Sequence, residues 1–106
     1  MAHQLTAIYA PPVDPAAFDR HDDEVHAPLA AMFPGLRSFT IHRPGPGPDG
    51  GPPAAHLVAV LTFDSEDALN AALSGPAGQA AVADLDNFAQ AGVTILTGPV
   101  EVVVRQ

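Results

Sequence analysis

The stretch HLVAVLTF, residues 56–63, decides the fold because it is an unbroken apolar run with a clear boundary on each side. Before it lies PGPGPDGGPP (44–53), which contains only Pro, Gly and Asp and offers no side chain to a core. Directly after it come Asp64 and Ser65, residue types that cap helices. We therefore predict a strand over 56–63, placed between a solvated connection and the start of a helix.

Outward from this strand, Pro, Gly and capping residues divide the chain into further segments. Toward the C-terminus we expect two helices, separated at Gly75-Pro76, and a last strand with a bulge or break at Gly98-Pro99. Toward the N-terminus we expect a strand, a helix that begins at Asp14-Pro15 and kinks or tightens near Pro28, and a first strand. The predicted bounds are strand 4–10, helix from about 15 to 32, strand 36–43, strand 56–63, helices 65–74 and 76–91, and strand 93–104.

This order of elements is typical of a single α+β domain, residues 1–106, with the ferredoxin-like βαββαβ fold: a four-stranded antiparallel sheet with both helices on one face. A sheet with one wet face alternates apolar and polar residues, but LVAVL (57–61) and VEVVV (100–104) hardly do so. Because the helices cover one face only, we expect the other face to pack against a second copy, forming a homodimer of the dimeric α+β barrel type. The alternative is a monomer with a partly exposed apolar face.

The charge balance excludes several classes of partner. Twelve acidic residues against four arginines, with no lysine, give a net charge of −8, which opposes binding to nucleic acid or to an anionic membrane. Cysteine is absent, so disulfides and thiolate chemistry are excluded. The N-terminus lacks the basic start and apolar run of a secretory signal, and no apolar run approaches the roughly 20 residues of a membrane span. We therefore expect a cytoplasmic protein with no membrane partner.

The stretch FDRHDDEVHAPL (18–29) concentrates two histidines and four acids on the first predicted helix. On a helical wheel, Asp22 falls inside the apolar stripe and His26 falls on its edge, one turn later. The members of that stripe are Phe18, Val25, Leu29 and Met32. A carboxylate that faces a core needs a partner or a cavity, and a histidine four residues on is within reach.

Three interpretations of Asp22 and His26 remain open. As a catalytic pair, Asp22 would orient His26 and raise its basicity, as a histidine general base requires. As a structural pair, the two would form a salt bridge at a partly wet helix edge. As metal ligands they would need a third, but His3, His42 and His56 lie at strand ends without motif spacing, so we expect no metal.

Two longer runs resemble the EthD-like family. The run AFDRHDDEVHAPLAAMFPGLR (17–37) is similar to that family's first helix, with a Phe, a variable spacer and H-x-P-L, followed by Pro-Gly-Leu entering the second strand. The run ALNAALSGPAGQAAVADLDNFAQAG (68–92) is similar to its second helical segment, with small residues, Gly-Gln and Asn-Phe. The resemblance implies a dimeric α+β barrel, in agreement with the strand pattern.

The resemblance also implies a pocket between sheet and helices for a small, largely apolar substrate, with the histidine of H-x-P-L, here His26, beside it. Relatives commonly have Tyr four residues before that histidine, where this chain has Asp22, so activities of Tyr-bearing relatives do not transfer directly. The relatives include isomerases, cyclases and cofactor-free oxygenases. For this chain we expect no cofactor. The candidate substrate-binding residues are Tyr9, Phe18, His21, Phe39, His42 and Phe63.

Three functions are consistent with these observations. The first is a cofactor-independent isomerase or cyclase in which His26, oriented by Asp22, removes a proton from a small apolar carbonyl or lactone compound. The second is a noncatalytic binding or accessory protein, which holds an apolar metabolite for an enzyme of an oxidative catabolic or polyketide pathway. The third is a packed domain without a pocket, in which the Asp-His pair is a surface bridge.

Overall fold

The chain folds into strands and helices in the predicted order, as seen in a computed structural model that describes residues 1–105. The main difference lies in the first helix, which is divided by one wide turn. The elements are β1 His3–Tyr9, α1 Pro15–His21, a π-helical turn Asp22–His26, α2 Ala27–Ala31, β2 Leu36–His42, β3 Leu57–Phe63, α3 Glu66–Ser74, α4 Pro76–Phe88 and β4 Val93–Pro99.

The four strands form one antiparallel sheet in the order β2-β3-β1-β4, which confirms the ferredoxin-like α+β fold. β3 and β1 are the two central strands, and in β1 Ala7 lies opposite Ala59 of β3 on one side and Ile95 of β4 on the other. The backbone of β1 therefore pairs on both edges, and β2 and β4 are the edge strands.

Local capping signals define the helix boundaries. The Asp14 side chain accepts a hydrogen bond from the Ala17 amide at 3.1 Å, and Pro15 occupies the first helical position of α1. In the same way Ser65 Oγ accepts from the Ala68 amide at 3.1 Å and begins α3. Gly78 lies where α4 turns back on α3, and a side chain there would clash with the carbonyl oxygens of the last α3 turns. The caps at Asp14 and Ser65 could be predicted from the sequence, because each depends only on neighbouring residues.

The two faces of the sheet have different surroundings. On the helix-covered face, β1 and β3 present a continuous buried row that includes Leu5, Leu57 and Phe63. On the other face, Ile8 and Val60 are only half-buried, and no helix covers them. The Cα envelope, 36 × 35 × 18 Å, is thin enough for two layers only. The prediction that the helices cover one face is confirmed, and the second face is apolar and open within this chain.

The C-terminal strand is shorter than predicted. β4 ends at Pro99, and the run VEVVV over 100–104 forms no strand. Val103 is 91% exposed, so this run contributes nothing to the core. The predicted bulge or break at Gly98-Pro99 is wrong, because β4 is an edge strand and both residues pair with β1 in regular register. β4 ends at Pro99 because its partner there is His3, the first residue of β1. The apolar pattern from which two buried faces were predicted therefore belongs to a strand only in β3, whose second face is half-buried within this chain.

Candidate functional site

A wide turn in the first helix sets the positions of the site residues. The Ala27 amide donates to the Asp22 carbonyl five residues earlier, so the chain forms a π-helical turn over Asp22–His26. Pro28 follows directly and has no amide hydrogen to continue an α-helical ladder. The prediction of a kink or tightening near Pro28 gave the right location. It was wrong about the direction of the change, because the helix becomes wider there and not tighter.

The π turn inserts one residue into the helix and thereby moves the buried stripe. The predicted stripe is wrong beyond Phe18: Val25 and Met32 are 39% and 72% exposed. After Asp22, each buried residue lies one position later in the sequence than predicted. The cause is the extra residue of the π turn, which rotates the rest of the helix by about 100°. The residues that face the core are Phe18, Asp22, His26, Ala30 and Phe33. His26 therefore lies at the centre of the buried stripe instead of at its edge.

The partner of His26 is an aspartate on a different helix. Asp84 Oδ2 of α4 accepts a hydrogen bond from His26 Nδ1 at 2.9 Å. The predicted pairing of His26 with Asp22 is wrong, since Asp22 makes no hydrogen bond to the imidazole and its Oδ2 has no partner. A pair at i and i+4 requires α-helical spacing with the side chains leaning together, and the π turn between the two residues changes both.

Asp84 is a buried carboxylate with several donors. It is 6% exposed, and besides His26 it accepts from His21 Nε2, at 2.9 and 3.0 Å to its two oxygens, and from Asn87 Nδ2 at 3.0 Å. Burial by itself would raise the pKa of Asp84, but the hydrogen bonds from Asn87, His21 and His26 together hold it below its ordinary value. Asp84 is therefore an ionised acceptor, which fixes the proton of His26 on Nδ1.

Asp22 has the opposite environment. It is 3% exposed, it lies on the wall of the interior cavity, and its Oδ2 has no hydrogen-bond partner. Burial raises the pKa of Asp22, and the neighbouring Asp23 and Asp19 add to the rise, while His26 and Arg43 oppose it. The protein thus holds an acid with an unused oxygen beside the imidazole.

Tyr9 completes the polar end of the site. Its hydroxyl, at the end of β1, donates to His26 Nε2 across a long 3.3 Å contact. Burial raises the pKa of Tyr9 well above its ordinary value, and the charges of Asp22 and Asp84 add to this rise. The phenol is therefore neutral and acts as a hydrogen-bond donor.

An aromatic cluster holds the two histidines in place. Phe88 of α4 stacks on His21, with ring centroids 4.9 Å apart, and contacts His26 at 4.7 Å. It also packs on Phe18 and Tyr9, at 4.9 and 5.6 Å. Sequence reasoning missed Asp84, Asn87 and Phe88. The available signal was the same as for Asp22: Asp84 lies on the apolar stripe of α4 that also contains Ala81 and Phe88.

The cavity in front of His26 has a volume of about 60 Å³ and lies between the sheet and the helices. Its polar wall consists of Tyr9, Asp22 and His26, and the rest is apolar. Ile41 and Ile95 line it from the edge strands and are 38% and 45% exposed, so the cavity reaches toward solvent there. A space of this size accepts a few atoms, and a larger ligand requires these edges to move apart.

The other predicted substrate-binding residues divide into three groups. Phe39 lines the cavity, as Tyr9 does. Phe18 and Phe63 are buried core residues outside the cavity wall. His21 lies behind Asp84 and borders an outer hollow of about 410 Å³, whereas His42 is exposed at the end of β2.

Neither of the remaining histidines belongs to the site. His3 lies 3.8 Å from Glu66, and His56 donates to Asp19 at 2.8 Å and packs on Phe18. Within residues 1–105, no three His, Asp or Glu side chains are arranged to hold a metal ion. No helix in the same part of the chain has the length and apolar character needed to cross a bilayer.

The fold and this site define a class: a ferredoxin-like α+β domain with a histidine-carboxylate pair beneath the sheet. The sequence profile of the EthD domain matches residues 10–92, and the chain belongs to the EthD family. An uncharacterised 11.0 kDa protein encoded in the thcB-thcC intergenic region of Rhodococcus erythropolis is 39% identical over 96% of this chain and 98% of its own. The crystal structure of an EthD family protein from Bacillus halodurans is 32% identical, covers 95% of this chain and 100% of that one, and has a TM-score of 0.89.

Two more distant structures share the fold. A dimeric ferredoxin-like protein of unknown function from Thermobifida fusca is 16% identical, covers 94% of this chain and 92% of its own, and has a TM-score of 0.71. SnoaB from Streptomyces nogalater, described as a cofactor-independent oxygenase, is 17% identical, covers 99% and 97% of the two chains, and has a TM-score of 0.68. At these identities the likeness extends to the fold alone.

Proposed function

We propose that this chain is a cofactor-independent isomerase or cyclase that moves a proton on a small, largely apolar carbonyl or lactone compound, with His26 as the general base. One observation carries the proposal: Asp84 holds the Nδ1 proton of a buried imidazole whose Nε2 faces the cavity side of the site. An imidazole fixed in this tautomer has its lone pair on Nε2, where a base is needed.

The chemistry that follows needs only groups of this chain. His26 Nε2 takes a proton from the carbon next to the substrate carbonyl, and the electron pair of that C–H bond forms an enolate. Asp84 stabilises the imidazolium through the bond from Nδ1. The proton then returns to a different carbon, which gives an isomer, or the enolate carbon attacks a second carbonyl, which closes a ring, and the imidazolium gives its proton to the alkoxide that this attack forms. General base assistance of this kind contributes on the order of 10²–10⁴ in rate.

Tyr9 has a double part in this scheme. In the free protein its hydroxyl occupies Nε2 through a 3.3 Å contact, which is long for a hydrogen bond and easily exchanged. When substrate enters, the neutral phenol can donate to the developing oxyanion instead, because its raised pKa keeps its proton in place. SnoaB is described as a cofactor-independent oxygenase, which supports the view that this fold can host a reaction without a cofactor.

The test uses α-angelica lactone, a small neutral lactone that becomes its conjugated isomer when one proton moves from the carbon beside the carbonyl to the γ-carbon. The wild-type chain is expected to accelerate this conversion, followed by ultraviolet absorbance or proton NMR. His26→Gln should lower the rate by about 10²-fold or more. Asp86→Asn, an exposed aspartate on the same helix as Asp84, is the control and should retain the full rate. An unchanged rate in His26→Gln would refute the general base.

The second candidate is a noncatalytic accessory protein that holds an apolar metabolite for a partner enzyme of an oxidative catabolic or polyketide pathway. It is favoured by the relative from Rhodococcus, whose gene lies between two others, thcB and thcC. This function predicts that lactones raise the thermal midpoint with the logarithm of their concentration, without any product. Product formation that depends on His26 would separate the two candidates.

We also propose that two copies associate through the open face of the sheet. The support is the apolar composition of that face, where Ile8, Val58 and Val60 lie among threonines, and the dimeric state described for the Thermobifida protein. Sedimentation is expected to show a dimer. Val60→Arg should shift it to monomer, while Val13→Arg, at a fully exposed position outside the sheet, should leave it unchanged. A monomeric wild-type chain would refute this assembly.

A further inference from the structure

The strongest unexplained feature of the molecule is the free oxygen of Asp22. This side chain is 3% exposed, and its Oδ2 has no hydrogen-bond partner. It nevertheless lies on the wall of a cavity that is otherwise almost entirely apolar. A buried polar group without a partner costs stability, so proteins keep one chiefly where something else supplies the partner.

The surroundings of Asp22 determine what kind of group could bind there. The opposing helix α4 contributes an ionised carboxylate, Asp84, which is bound to His26. No Lys or Arg in residues 1–105 lines the cavity. Arg37 is bound to Asp64 on the surface, and Arg43 points at Asp23 from 3.9 Å. An anion entering the cavity would therefore lie near negative charge, and no Lys or Arg would offset the free energy that it loses on leaving water.

We propose that the Asp22 carboxyl binds the neutral carbonyl oxygen of the ligand, and so selects small neutral ketones and lactones against the corresponding carboxylates. This inference rests on the proposed function, because it assigns the substrate's oxygen to one wall of the same cavity. With Asp22 in its acid form, which burial favours, the carboxyl donates its O–H to the carbonyl. The donor then polarises the carbonyl whose neighbouring C–H lies toward His26.

The cavity of about 60 Å³ has room for a water molecule, but Asp22 Oδ2 itself has almost no accessible surface, so a ligand carbonyl reaches this oxygen only as the cavity widens. A purely apolar cavity would gain nothing from a carbonyl group on the ligand. A site built for a carbonyl discriminates between ligands that can accept a hydrogen bond from Asp22 and ligands that bring a charge. The choice of ligand therefore distinguishes these two interpretations.

The test measures binding separately from turnover. γ-Valerolactone is a saturated lactone that cannot undergo the isomerisation, and its dissociation constant is obtained from chemical-shift changes in ¹H–¹⁵N spectra. Asp22→Leu is nearly isosteric and removes the donor, and it should weaken binding about tenfold. Asp22→Asn keeps a donor and should stay within about threefold of the wild type. Asp23→Leu, at the exposed neighbouring aspartate, is the matched control and should not change the affinity.

The same titration with levulinate, an open-chain carboxylate of the same carbon number, tests the selection against anions. It should bind at least about tenfold more weakly than the lactone. Thermal unfolding of Asp22→Leu is expected at or above the wild-type midpoint, because a partnerless buried carboxyl is removed. If that variant does not fold, Asp22→Ala takes its place in the same comparison.

Three results would overturn the inference: equal lactone affinity in Asp22→Leu and wild type, levulinate binding as tight as lactone binding, or no lactone binding by the wild-type chain. Failure of the proposed function gives a different result. In that case γ-valerolactone binds in an Asp22-dependent way, while α-angelica lactone is not converted. The two hypotheses can therefore fail independently.

Discussion

Asp84 and Asp22 are both buried aspartates beside the same imidazole, yet the protein treats them in opposite ways. Asp84 is surrounded by donors, from His21, His26 and Asn87, and its pKa lies below the ordinary value. Asp22 has an oxygen without a hydrogen-bond partner in an apolar wall, and its pKa lies above the ordinary value. The two side chains are chemically identical, so the difference comes entirely from what surrounds them.

This difference teaches how one site can hold a base and an acid at the same pH. A carboxyl whose pKa is lowered stays ionised and can fix and stabilise a histidine, and a carboxyl whose pKa is raised holds its proton to a higher pH and can donate it to a substrate oxygen. Separation of two pKa values within one site is a common sign of a division of roles between acid and base. The following variants are designed to break or sharpen that division.

The largest effect is expected from Asp84→Ala. The change leaves His26 Nδ1 and His21 Nε2 without their acceptor inside the protein, so the free energy of unfolding should fall by about 3 kcal/mol. Urea unfolding at neutral pH measures this loss. Asp86→Ala, on the exposed side of the same helix, should change stability by less than about 0.5 kcal/mol. Equal small effects in both variants would contradict the role of Asp84 as anchor.

A smaller effect, of opposite sign, is expected from Asp22→Asn. Asn cannot ionise, so the variant does not bury a carboxylate charge as the pH approaches neutrality. Its unfolding free energy should therefore rise by about 1 kcal/mol. Asp23→Asn, at the exposed neighbour, should stay within about 0.5 kcal/mol of the wild type. A loss of stability in Asp22→Asn would show that Asp22 has a structural partner and would remove the contrast with Asp84.

The fold was predictable because its signals are local, and the site was not because its geometry depends on tertiary contacts. The caps at Asp14 and Ser65 and the apolar run of β3 each lie within a few residues of the feature that they specify. The site depends on the π turn, which shifts the buried stripe by one residue and cannot be read from a wheel with α-helical spacing. Asp22 was found because it interrupts an apolar stripe, and the same reasoning applied to Ala81, Asp84 and Phe88 would have found its counterpart.

The pairing of His26 shows a further limit of sequence reasoning. A partner four residues away is visible in the sequence, whereas Asp84 is 58 residues away and comes close only because α4 packs on the first helix. Asp22, the acid four residues before His26, is no longer placed to bind the imidazole once the π turn changes the helix spacing. The sequence therefore indicated that His26 lies near the core, and the packing of the two helices determined its partner.

The pH dependence of stability should also differ in sign between the two aspartates. The pKa of Asp22 is raised on folding, so its favourable contribution is complete below the ordinary value of 3.8 and is lost as the pH rises through the folded pKa. The pKa of Asp84 is lowered, so its contribution is present above 3.8 and is lost as the pH falls through the folded pKa.

Urea unfolding of Asp22→Asn and Asp84→Asn from acidic to neutral pH measures both trends against the wild type. The advantage of Asp22→Asn should grow as the pH rises above 3.8, and the deficit of Asp84→Asn should shrink as the pH falls below it. Parallel curves for the two variants would mean that the two carboxyls titrate alike, and the assignment of separate roles would be wrong.

The smallest effect is expected from Tyr9→Phe, which tests the other nitrogen of His26. The phenol contacts Nε2 at 3.3 Å, whereas Asp84 contacts Nδ1 at 2.9 Å, so the anchoring of the ring should come almost entirely from the Asp84 side. Loss of the hydroxyl should cost about 0.5 kcal/mol of unfolding free energy, because the ring still packs on Phe18 and Phe88. A loss above about 2 kcal/mol would mean that Nε2 is held as firmly as Nδ1. His26 would then have both nitrogens bound within the fold, and no lone pair would be free for the proposed proton transfer.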